Sequence, residues 1–415
     1  MAISTENQSA TAVDPLTALR FRMAASLLGK MVKDATLEIS CLDSSMHHVI
    51  AKGDKDRRLF EMELNTAATL WSMLRAPDPG LGEAFMDGKW TLRKGDLGEF
   101  LTMVARERDN MLSTFTGKLI RHLINKRPPQ YSHDIAASYD NVQHHYDIGD
   151  DLYRGFLDEG MNYSCAFFAS PEQSLRDAQL NKIDTTIKRL DVKPGMRVLD
   201  IGCGWGETTR RLASTRGAIS TGVTLARNQL EHAKALASGI EPRPEYLLQD
   251  YREHAAQHEN YYDRIVSIGM VEHVGRGHLD NYFEAVNQQL RPGGKALIHS
   301  IVRSGKPATA KLSSPWLIKY IFPGGHVPEV FELTQNAQEQ GLELVGEPFI
   351  HASFNYAETL RRWRQNFLAH YEKLDHKKYD MRFKRMWLFY FCMCEAMFEG
   401  CDVRVAQIVL EKPVK

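Results

Sequence analysis

Residues 196–206 read MRVLDIGCGWG, an apolar run that ends in three glycines at alternate positions. The run is typical of a buried parallel strand. Gly202, Gly204 and Gly206 are typical of the tight turn from such a strand into a helix, because a residue without a Cβ can turn sharply and approach a ligand closely. The stretch therefore predicts the first strand and the ligand-binding turn of an α/β sheet.

Further apolar runs follow this stretch, separated from one another by helical or turn segments. The candidate strands are 218–224, 245–250, 262–270 and 295–301. Strands that alternate with helices predict a parallel, doubly wound, Rossmann-like sheet. Two later candidates, 342–349 and 403–412, are expected to form an antiparallel edge.

The sequence pattern divides the chain into four parts. Residues 1–14 are polar and are expected to be a disordered tail, and residues 15–117 predict a smaller N-terminal α+β domain. Residues 118–134 form a basic linker. Residues 135–415 form the α/β domain, with helical lid insertions.

Composition excludes several classes of protein. The chain has 415 residues, and its 52 basic residues balance 52 acidic ones, so no net charge attracts a polyanion. The six cysteines show no C-x-x-C pair, and we predict no metal site. The N-terminus has no signal-peptide pattern, and the most apolar window, 387–398, is shorter than the roughly 20 residues of a spanning helix. A cytoplasmic protein is expected.

Two segments nevertheless carry local positive charge. Residues 110–133 include no acidic residue, and residues 355–389 hold nine Arg or Lys against four acids, with interleaved aromatic residues. Such segments suit a surface that faces anionic lipid headgroups. A solvated linker explains the first segment equally well, and for the second we favour helices that pack on the core with one solvated face.

The glycine spacing points to a particular cofactor. Dinucleotide enzymes use G-x-G-x-x-G, whereas G-x-G-x-G is the form found in S-adenosylmethionine (SAM)-dependent methyltransferases. Further contacts are expected at the ends of the next two strands. Thr224 and Leu225 end the second strand as candidate cofactor contacts, and Gln229 would take both ribose hydroxyls because no acidic residue stands at that strand tip. Asp250 and Tyr251 would meet the adenine edge and ring.

Many segments resemble one family, the cyclopropane-fatty-acyl-phospholipid synthases and the related mycolic acid methyltransferases. The matching segments, in family order over most of residues 139–412, are YDIGDDLYRGFLDEGMNYSCAFF (146–168), RVLDIGCGWG (197–206), GVTLARNQ (222–229), QDYR (249–252), YDRIVSIGMVEHVG (262–275), KALIHSI (295–301), YIFPGGHVP (320–328), YAETLRRWRQNF (356–367) and FKRMWLFYFCMCEAMF (383–398). LGEAFMDGKW (81–90) also resembles the N-terminal domain of the family.

The resemblance implies a class I SAM-dependent methyltransferase fold and a reaction on lipid. The SAM methyl group adds to a cis double bond of an acyl chain, and a bound bicarbonate removes a proton as the cyclopropane ring closes. By resemblance, bicarbonate is held by Cys165, Glu272, His299, Ile301 and Tyr356. Also by resemblance, Tyr163 and Ser164 contact the amino-acid part of SAM, and Cys394 matches a cysteine sometimes assigned to the active site. The glycine turn with Cys203 is expected to contact SAM as well.

The family likeness also implies partners and a location. The substrate is an unsaturated phospholipid, which the enzyme reaches by a transient peripheral visit to the inner face of the membrane. The N-terminal domain is a lipid-engaging, dimer-forming module, so a homodimer is expected.

Several alternatives stay open at this stage. Glu272 could itself be the base, and loss of a different proton would leave a methyl branch instead of a ring. Val271 and Asn355 depart from the family pattern, which bears on the acyl pocket rather than on the SAM site. A nucleic-acid methyltransferase is less favoured because SIGMVEHVG follows the fourth strand where an N/D-P-P-Y/F or Pro-Cys motif would stand. An inactive lipid- or SAM-binding module is the non-enzymatic alternative.

Overall fold

A computed structural model describes residues 13–30, 32, 35–52, 58–113, 149–303 and 314–414. The described residues divide into two compact units. Unit 1 contains the N-terminal residues up to Ser113 together with 314–316 and 375–401, and unit 2 contains the remainder. The predicted linker 118–134 and most of the basic segment 110–133 lie outside the described residues. Asp14, at the end of the predicted tail, caps the first helix by accepting from the N–H groups of Leu16 and Thr17.

Unit 1 is an α+β unit with a four-stranded sheet in the order β2-β1-β3-β4. Its elements are α1 (Pro15–Gly29), β1 (Ala35–Cys41), β2 (His47–Lys52), β3 (Arg58–Leu64), α2 (Ala67–Arg75), α3 (Pro77–Met86), β4 (Trp90–Lys94) and α4 (Leu97–Ser113). Alternate residues of β1 and β3 are buried, which is the period of a strand with one face on the core. Three aromatic rings form the centre of this core. The ring centroid of Phe100 lies 5.5 Å from that of Phe60 and 6.1 Å from that of Trp90. The predicted α+β pattern of this region is present.

Unit 1 also takes in a helix from near the end of the chain, which the sequence analysis placed in the α/β domain. This helix spans Met381–Gly400, and its Phe389 packs edge-on to Trp316, with ring centroids 5.0 Å apart. Gly82 of α3 allows this approach, because a Cβ there would lie 2.7 Å from a ring carbon of Phe389. Gly82 and Phe389 are about 300 residues apart in the sequence, and no sequence pattern indicated that they would meet.

Unit 2 is built on an eight-stranded sheet in the order β10-β12-β9-β8-β5-β6-β7, with β11 also paired to β12. Its strands are β5 (Arg197–Ile201), β6 (Ile219–Thr224), β7 (Glu245–Leu248), β8 (Tyr262–Ile268), β9 (Leu290–Arg303), β10 (Glu343–Leu344), β11 (Phe349–Ile350) and β12 (Val403–Glu411). Strands β5 to β9 are parallel, and β12 runs antiparallel to β9. The predicted parallel sheet with an antiparallel edge is present.

Helices connect and cover these strands. In unit 2 they are α5 (Asp150–Phe156), α6 (Leu175–Arg189), α7 (Glu207–Arg216), α8 (Arg227–Ala235), α9 (Tyr251–Ala255), α10 (Leu279–Gln289), α12 (Val330–Glu339) and α13 (Ser353–His370). The residues of α11 (Pro315–Tyr320) are divided between the two units, and α14 (Met381–Gly400) belongs to unit 1. Single-turn 3₁₀ helices occur at Val271–His273 and Tyr371–Lys373. The central strands are buried almost throughout, as expected for a parallel sheet covered on both faces.

The aromatic residues of the basic segment 355–389 are mostly core residues. Trp363, Phe367, Tyr371, Tyr379 and Trp387 are each exposed by 2% or less. The favoured interpretation, helices that pack on the core, therefore holds for these rings. Among the described residues, no helix combines the length and the apolar character that crossing a membrane requires.

Candidate active site

A cavity lies at the carboxyl ends of strands β5 to β8 in unit 2, where α/β folds bind ligands. Residues from the turns after all four strands line it, and Phe322 and Pro323 line it from a later segment. The lining residues are Ile201, Gly202, Gly204, Val223, Thr224, Leu225, Gln229, Gln249, Asp250, Tyr251, Arg252, Gly269, Met270, His273, Val274, His278, Asn281, Phe322 and Pro323. Seven of the eleven predicted cofactor residues are among them.

The glycine turn brings the backbone against this cavity. The N–H groups of Gly202 and Cys203 both donate to the carbonyl of Val223 at 3.0 Å, which ties the turn to the end of β6. Gly202 has φ +78°, and a Cβ there would lie 2.9 Å from Cγ of Met270. Gly204 has φ +54° and no neighbour within 4 Å of a Cβ position. The turn therefore leaves open space beside Gly204.

Four predicted cofactor contacts are not among the lining residues: Tyr163, Ser164 and two residues of the glycine turn, Cys203 and Gly206. Cys203 is buried in a cluster with Leu230 and Tyr246. Gly206 precedes α7 with φ +83°, and a Cβ there would lie 2.7 Å from both Ala233 and the ring of Tyr246. Both residues therefore pack against α8 and β7, on the side of the glycine turn that does not line the cavity.

Polar groups at the ends of β6 and β7 are held in fixed orientations. Thr224 Oγ1 donates to Gln229 Oε1 at 2.8 Å, so the amide of Gln229 is fixed at the cavity wall. Asp250 accepts from Nε and Nη2 of Arg252, each at 2.8 Å, and caps α9. Tyr251 packs edge-on to Tyr282 at 5.5 Å. An amide, a carboxylate and an aromatic ring around an open glycine turn fit an adenosine group.

The sequence analysis missed several lining residues, of which His273 is the clearest. Its ring meets Phe322 edge-on at 5.9 Å, and burial lowers its pKa to about 4, so the imidazole is neutral. Within the segment MVEHVG, the sequence analysis proposed only Glu272 as a site residue. Its position directly after the fourth strand was a signal for His273 as well, because ligands bind at that sheet edge.

Glu272 occupies the centre of a second group of residues. Its Oε1 accepts from the backbone N–H of Ile301 at 2.6 Å, and burial raises its pKa to about 7. Its Oε2 is buried, and no described residue donates a hydrogen bond to it. An orphaned carboxylate oxygen of this kind fits a ligand that brings its own O–H donor, such as bicarbonate.

His299 lies two residues before Ile301 on β9 and is 3% exposed. Its ring stacks on Phe167 with a centroid distance of 5.7 Å, and its Nδ1 lies 3.4 Å from Nε2 of Gln407. Burial lowers its pKa well below the usual range, so the imidazole is neutral and can donate through one ring nitrogen.

The segment around Cys165 is held on the start of α13. The N–H of Ala166 donates to Oγ1 of Thr359, and the N–H of Phe168 donates to Oδ1 of Asn355, both at 3.0 Å. Asn355, which departs from the family pattern, thus positions the loop. Cys165 itself is 1% exposed, and burial raises the pKa of its thiol.

Tyr163 and Tyr356 meet through a shared neighbour. Trp363 lies 5.2 Å from the ring of Tyr163 and 6.1 Å from the ring of Tyr356. Neither tyrosine, nor Ser164, is among the residues that line the cavity. These contacts place Tyr163 and Tyr356 around Trp363 of α13, and the contact of Phe167 with His299 joins the Cys165 segment to β9.

Cys394 belongs to a different unit from these residues. It lies on α14 in unit 1, is partly buried, and has a raised thiol pKa because of burial. A neutral thiol is a poor nucleophile.

The strand order, the reversed edge strand β12 and the cavity over the glycine turn define a class I SAM-dependent methyltransferase. The particular family follows from comparison: residues 133–408 match the family described as mycolic acid cyclopropane synthetase, and the chain belongs to that family.

Individual relatives and a solved structure are also similar to this chain. The chain is 34% identical over 350 residues to cyclopropane-fatty-acyl-phospholipid synthase of Escherichia coli, covering 81% of this chain and 84% of the relative. It is 37% identical over 346 residues to tuberculostearic acid methyltransferase UfaA1 of Mycobacterium tuberculosis, covering 80% and 78%. The crystal structure of mycolic acid cyclopropane synthase CmaA1 with SAH and CTAB matches with a TM-score of 0.59 and 30% identity, over 66% of this chain and 98% of that one.

Proposed function

We propose that the enzyme transfers a methylene group from SAM to a cis double bond of an unsaturated phospholipid acyl chain and forms a cyclopropane ring. The observation that carries this proposal is the buried Glu272 carboxylate, held by Ile301 N–H with one oxygen left without a donor among the described residues. Its neighbours are apolar or neutral, which suits a reaction that must exclude water.

The chemistry requires two bond changes at carbon. The alkene π electrons take the methyl carbon from the SAM sulfur, which leaves neutral S-adenosylhomocysteine (SAH) and a cation on the neighbouring carbon. A base then removes a proton from the new methyl group, and the electrons of that C–H bond close the ring. The rings of Phe167 and Tyr163 lie near the site and supply π faces that stabilise a cation.

Bicarbonate supplies a base in this site, with Glu272 as its anchor. A carboxylate beside an anion must share a proton with it, and the raised pKa of Glu272, about 7, permits that sharing near neutral pH. Neutral His299 and the Tyr356 hydroxyl are the hydrogen-bond donors for the anion. Glu272 acting alone as the base is the competing assignment.

A methyl-branched product is the second candidate. It is supported by the 37% identity to a protein named as a tuberculostearic acid methyltransferase. The two outcomes share every step up to the cation and differ in the carbon that loses its proton.

Access to the lipid is assigned to the basic surfaces and to unit 1. In the segment 355–389 the exposed basic side chains are Lys373, Lys377, Lys378 and Arg382. Arg364 is buried, and Arg361 and Arg362 are paired with Glu358. Unit 1 is the lipid-engaging, dimer-forming module, and the enzyme visits the membrane peripherally.

The test uses purified protein, SAM, bicarbonate and liposomes of cis-unsaturated phospholipid. We expect acyl chains heavier by one CH₂ and a ring signature in the NMR spectrum of the product. A branched alkene in that spectrum selects the second candidate. Unmodified acyl chains, with SAM shown to bind, would refute both.

A further inference from the structure

Lys182 is a buried lysine that the reaction as described does not use. It lies in the middle of α6 and is 1% exposed. Gln179 and Thr186, each one turn away on the same face, are fully buried. Helix α6 therefore turns a polar face into the protein, which costs free energy unless each group finds a partner.

Two members of this face hold one residue, Ser164. Lys182 Nζ donates to Ser164 Oγ at 2.9 Å, and Gln179 Nε2 donates to the Ser164 carbonyl at 2.8 Å. Ser164 also lies beside the SAM cavity, because a Cβ on the lining residue Gly269 would be 4.0 Å from Ser164 Cβ. The helix thus fixes both the side chain and the backbone of Ser164 next to the cavity.

The direction of the Lys182–Ser164 hydrogen bond has a chemical consequence. An ammonium group can only donate, so Ser164 Oγ must accept from it. The hydroxyl proton of Ser164 then remains for an acceptor, and within the described residues no group accepts it. Because a hydroxyl that accepts from a cation is polarised, it becomes a stronger donor.

The ammonium is present at neutral pH. Burial lowers the pKa of Lys182 to about 8, and nearby Asp158, Asp200 and Glu207 oppose that fall. Asp158 and Glu207 are themselves bonded to Arg176, and Asp200 accepts from Thr209 Oγ1. Lys182 is therefore protonated, and none of these three carboxylates forms an ion pair with its ammonium group.

We propose that Lys182 is a positioning residue for SAM: it makes Ser164 a hydrogen-bond donor aimed at the carboxylate of the SAM amino-acid group. The inference rests on the proposed role of Ser164 at that end of SAM. It concerns cofactor binding alone, so it is tested without any lipid.

The experiment measures binding of two ligands by calorimetry. SAH carries the amino acid carboxylate, whereas 5′-methylthioadenosine keeps the adenosine and the thioether but lacks that group. We expect Lys182→Met and Ser164→Ala each to weaken SAH binding about tenfold, the size typical for one hydrogen bond to a charged group, and to leave methylthioadenosine binding unchanged. Lys188→Met, an exposed lysine on the same helix, is the matched control and should change neither affinity.

The double variant Lys182→Met/Ser164→Ala separates positioning from direct contact. If Lys182 acts through Ser164, the double variant binds SAH no more weakly than Ser164→Ala does. A further loss in the double variant would overturn the positioning role. Equal weakening of both ligands by each single variant, or unchanged SAH binding in a folded Lys182→Met protein, would overturn the proposal. Failure of the lipid reaction would leave this result unaffected.

Discussion

The backbone N–H of Ile301 donates to Oε1 of Glu272 at 2.6 Å, which joins a strand of the parallel sheet to the 3₁₀ turn after the neighbouring strand. By resemblance, Ile301 was expected to hold the anion directly. In the structure its backbone N–H donates to the carboxylate of Glu272. Oε2 of the same carboxylate is buried and accepts no hydrogen bond from a described residue. Glu272 therefore stands between the backbone and any ligand of this site.

Replacing Glu272 with Gln should abolish turnover and stabilise the folded protein at high pH. A carboxylate whose pKa rises on folding contributes most stability below its unfolded pKa, near 4.5, and loses that contribution as the pH rises through about 7. Between pH 4.5 and pH 8, the free energy of unfolding of the wild type should therefore fall by up to about 3 kcal/mol relative to that of Glu272→Gln. Urea denaturation of both proteins at these two pH values measures the difference. A constant difference would show that Glu272 ionises normally in the fold.

Replacing Tyr356 with Phe should lower turnover at least tenfold with little change in SAM affinity. The substitution removes one hydroxyl donor and keeps the ring beside Trp363. Steady-state kinetics with liposomes and calorimetry with SAH provide the two measurements. Loss of SAH binding would instead place Tyr356 in the cofactor site.

Glycine-to-alanine changes at Gly206 and Gly204 should differ in their effect on stability. Both positions have positive φ, which costs an alanine about 1 kcal/mol. At Gly206 the added Cβ also overlaps Ala233 and Tyr246, so the total loss should reach about 2–4 kcal/mol. Gly204→Ala is the matched control because no neighbour lies within 4 Å of its Cβ position. Thermal or urea unfolding that shows equal losses would contradict the packing role of Gly206.

Replacing Cys394 with Ala should leave turnover within about twofold of wild type. Burial keeps its thiol protonated, and the proposed reaction forms no bond to sulfur. The measurement is product formation per enzyme, normalised to the SAH-binding fraction. A loss of several hundredfold in a folded variant would assign this cysteine a chemical role.

The α/β unit was largely predictable from sequence, and the reason is local. Strands β5, β6 and β8 are buried over almost their whole length because both faces of the sheet are covered, and the glycines at 202, 204 and 206 stand where the backbone turns with positive φ. Residues after these strands were expected to share one cavity, since parallel strands end at one sheet edge. Strand β2, HHVIAK, was not predicted because its apolar residues are adjacent in sequence and do not alternate with polar ones.

It was less predictable which side chains are buried and which residues they contact. The C-terminal helix α14 follows a basic, aromatic pattern that suits either a lipid surface or a core, and only its packing against α3 and α4 decides for the core. Lys182 was passed over because a lysine on an amphipathic helix is usually solvated. Its hydrogen-bond partner, Ser164, lies 18 residues earlier in the chain.

The amino-acid sequence by itself determined the class of fold, the position of the cofactor turn and the family, because these depend on residue order and on spacing along the chain. The tertiary structure decided which of the candidate residues meet: Gly206 and Cys203 pack against buried residues and do not line the cavity, Cys394 belongs to unit 1, and Glu272, in the turn after β8, accepts a hydrogen bond from Ile301 of β9. These outcomes depend on distances between segments far apart in sequence, and burial then sets the charge of each group that they bring together.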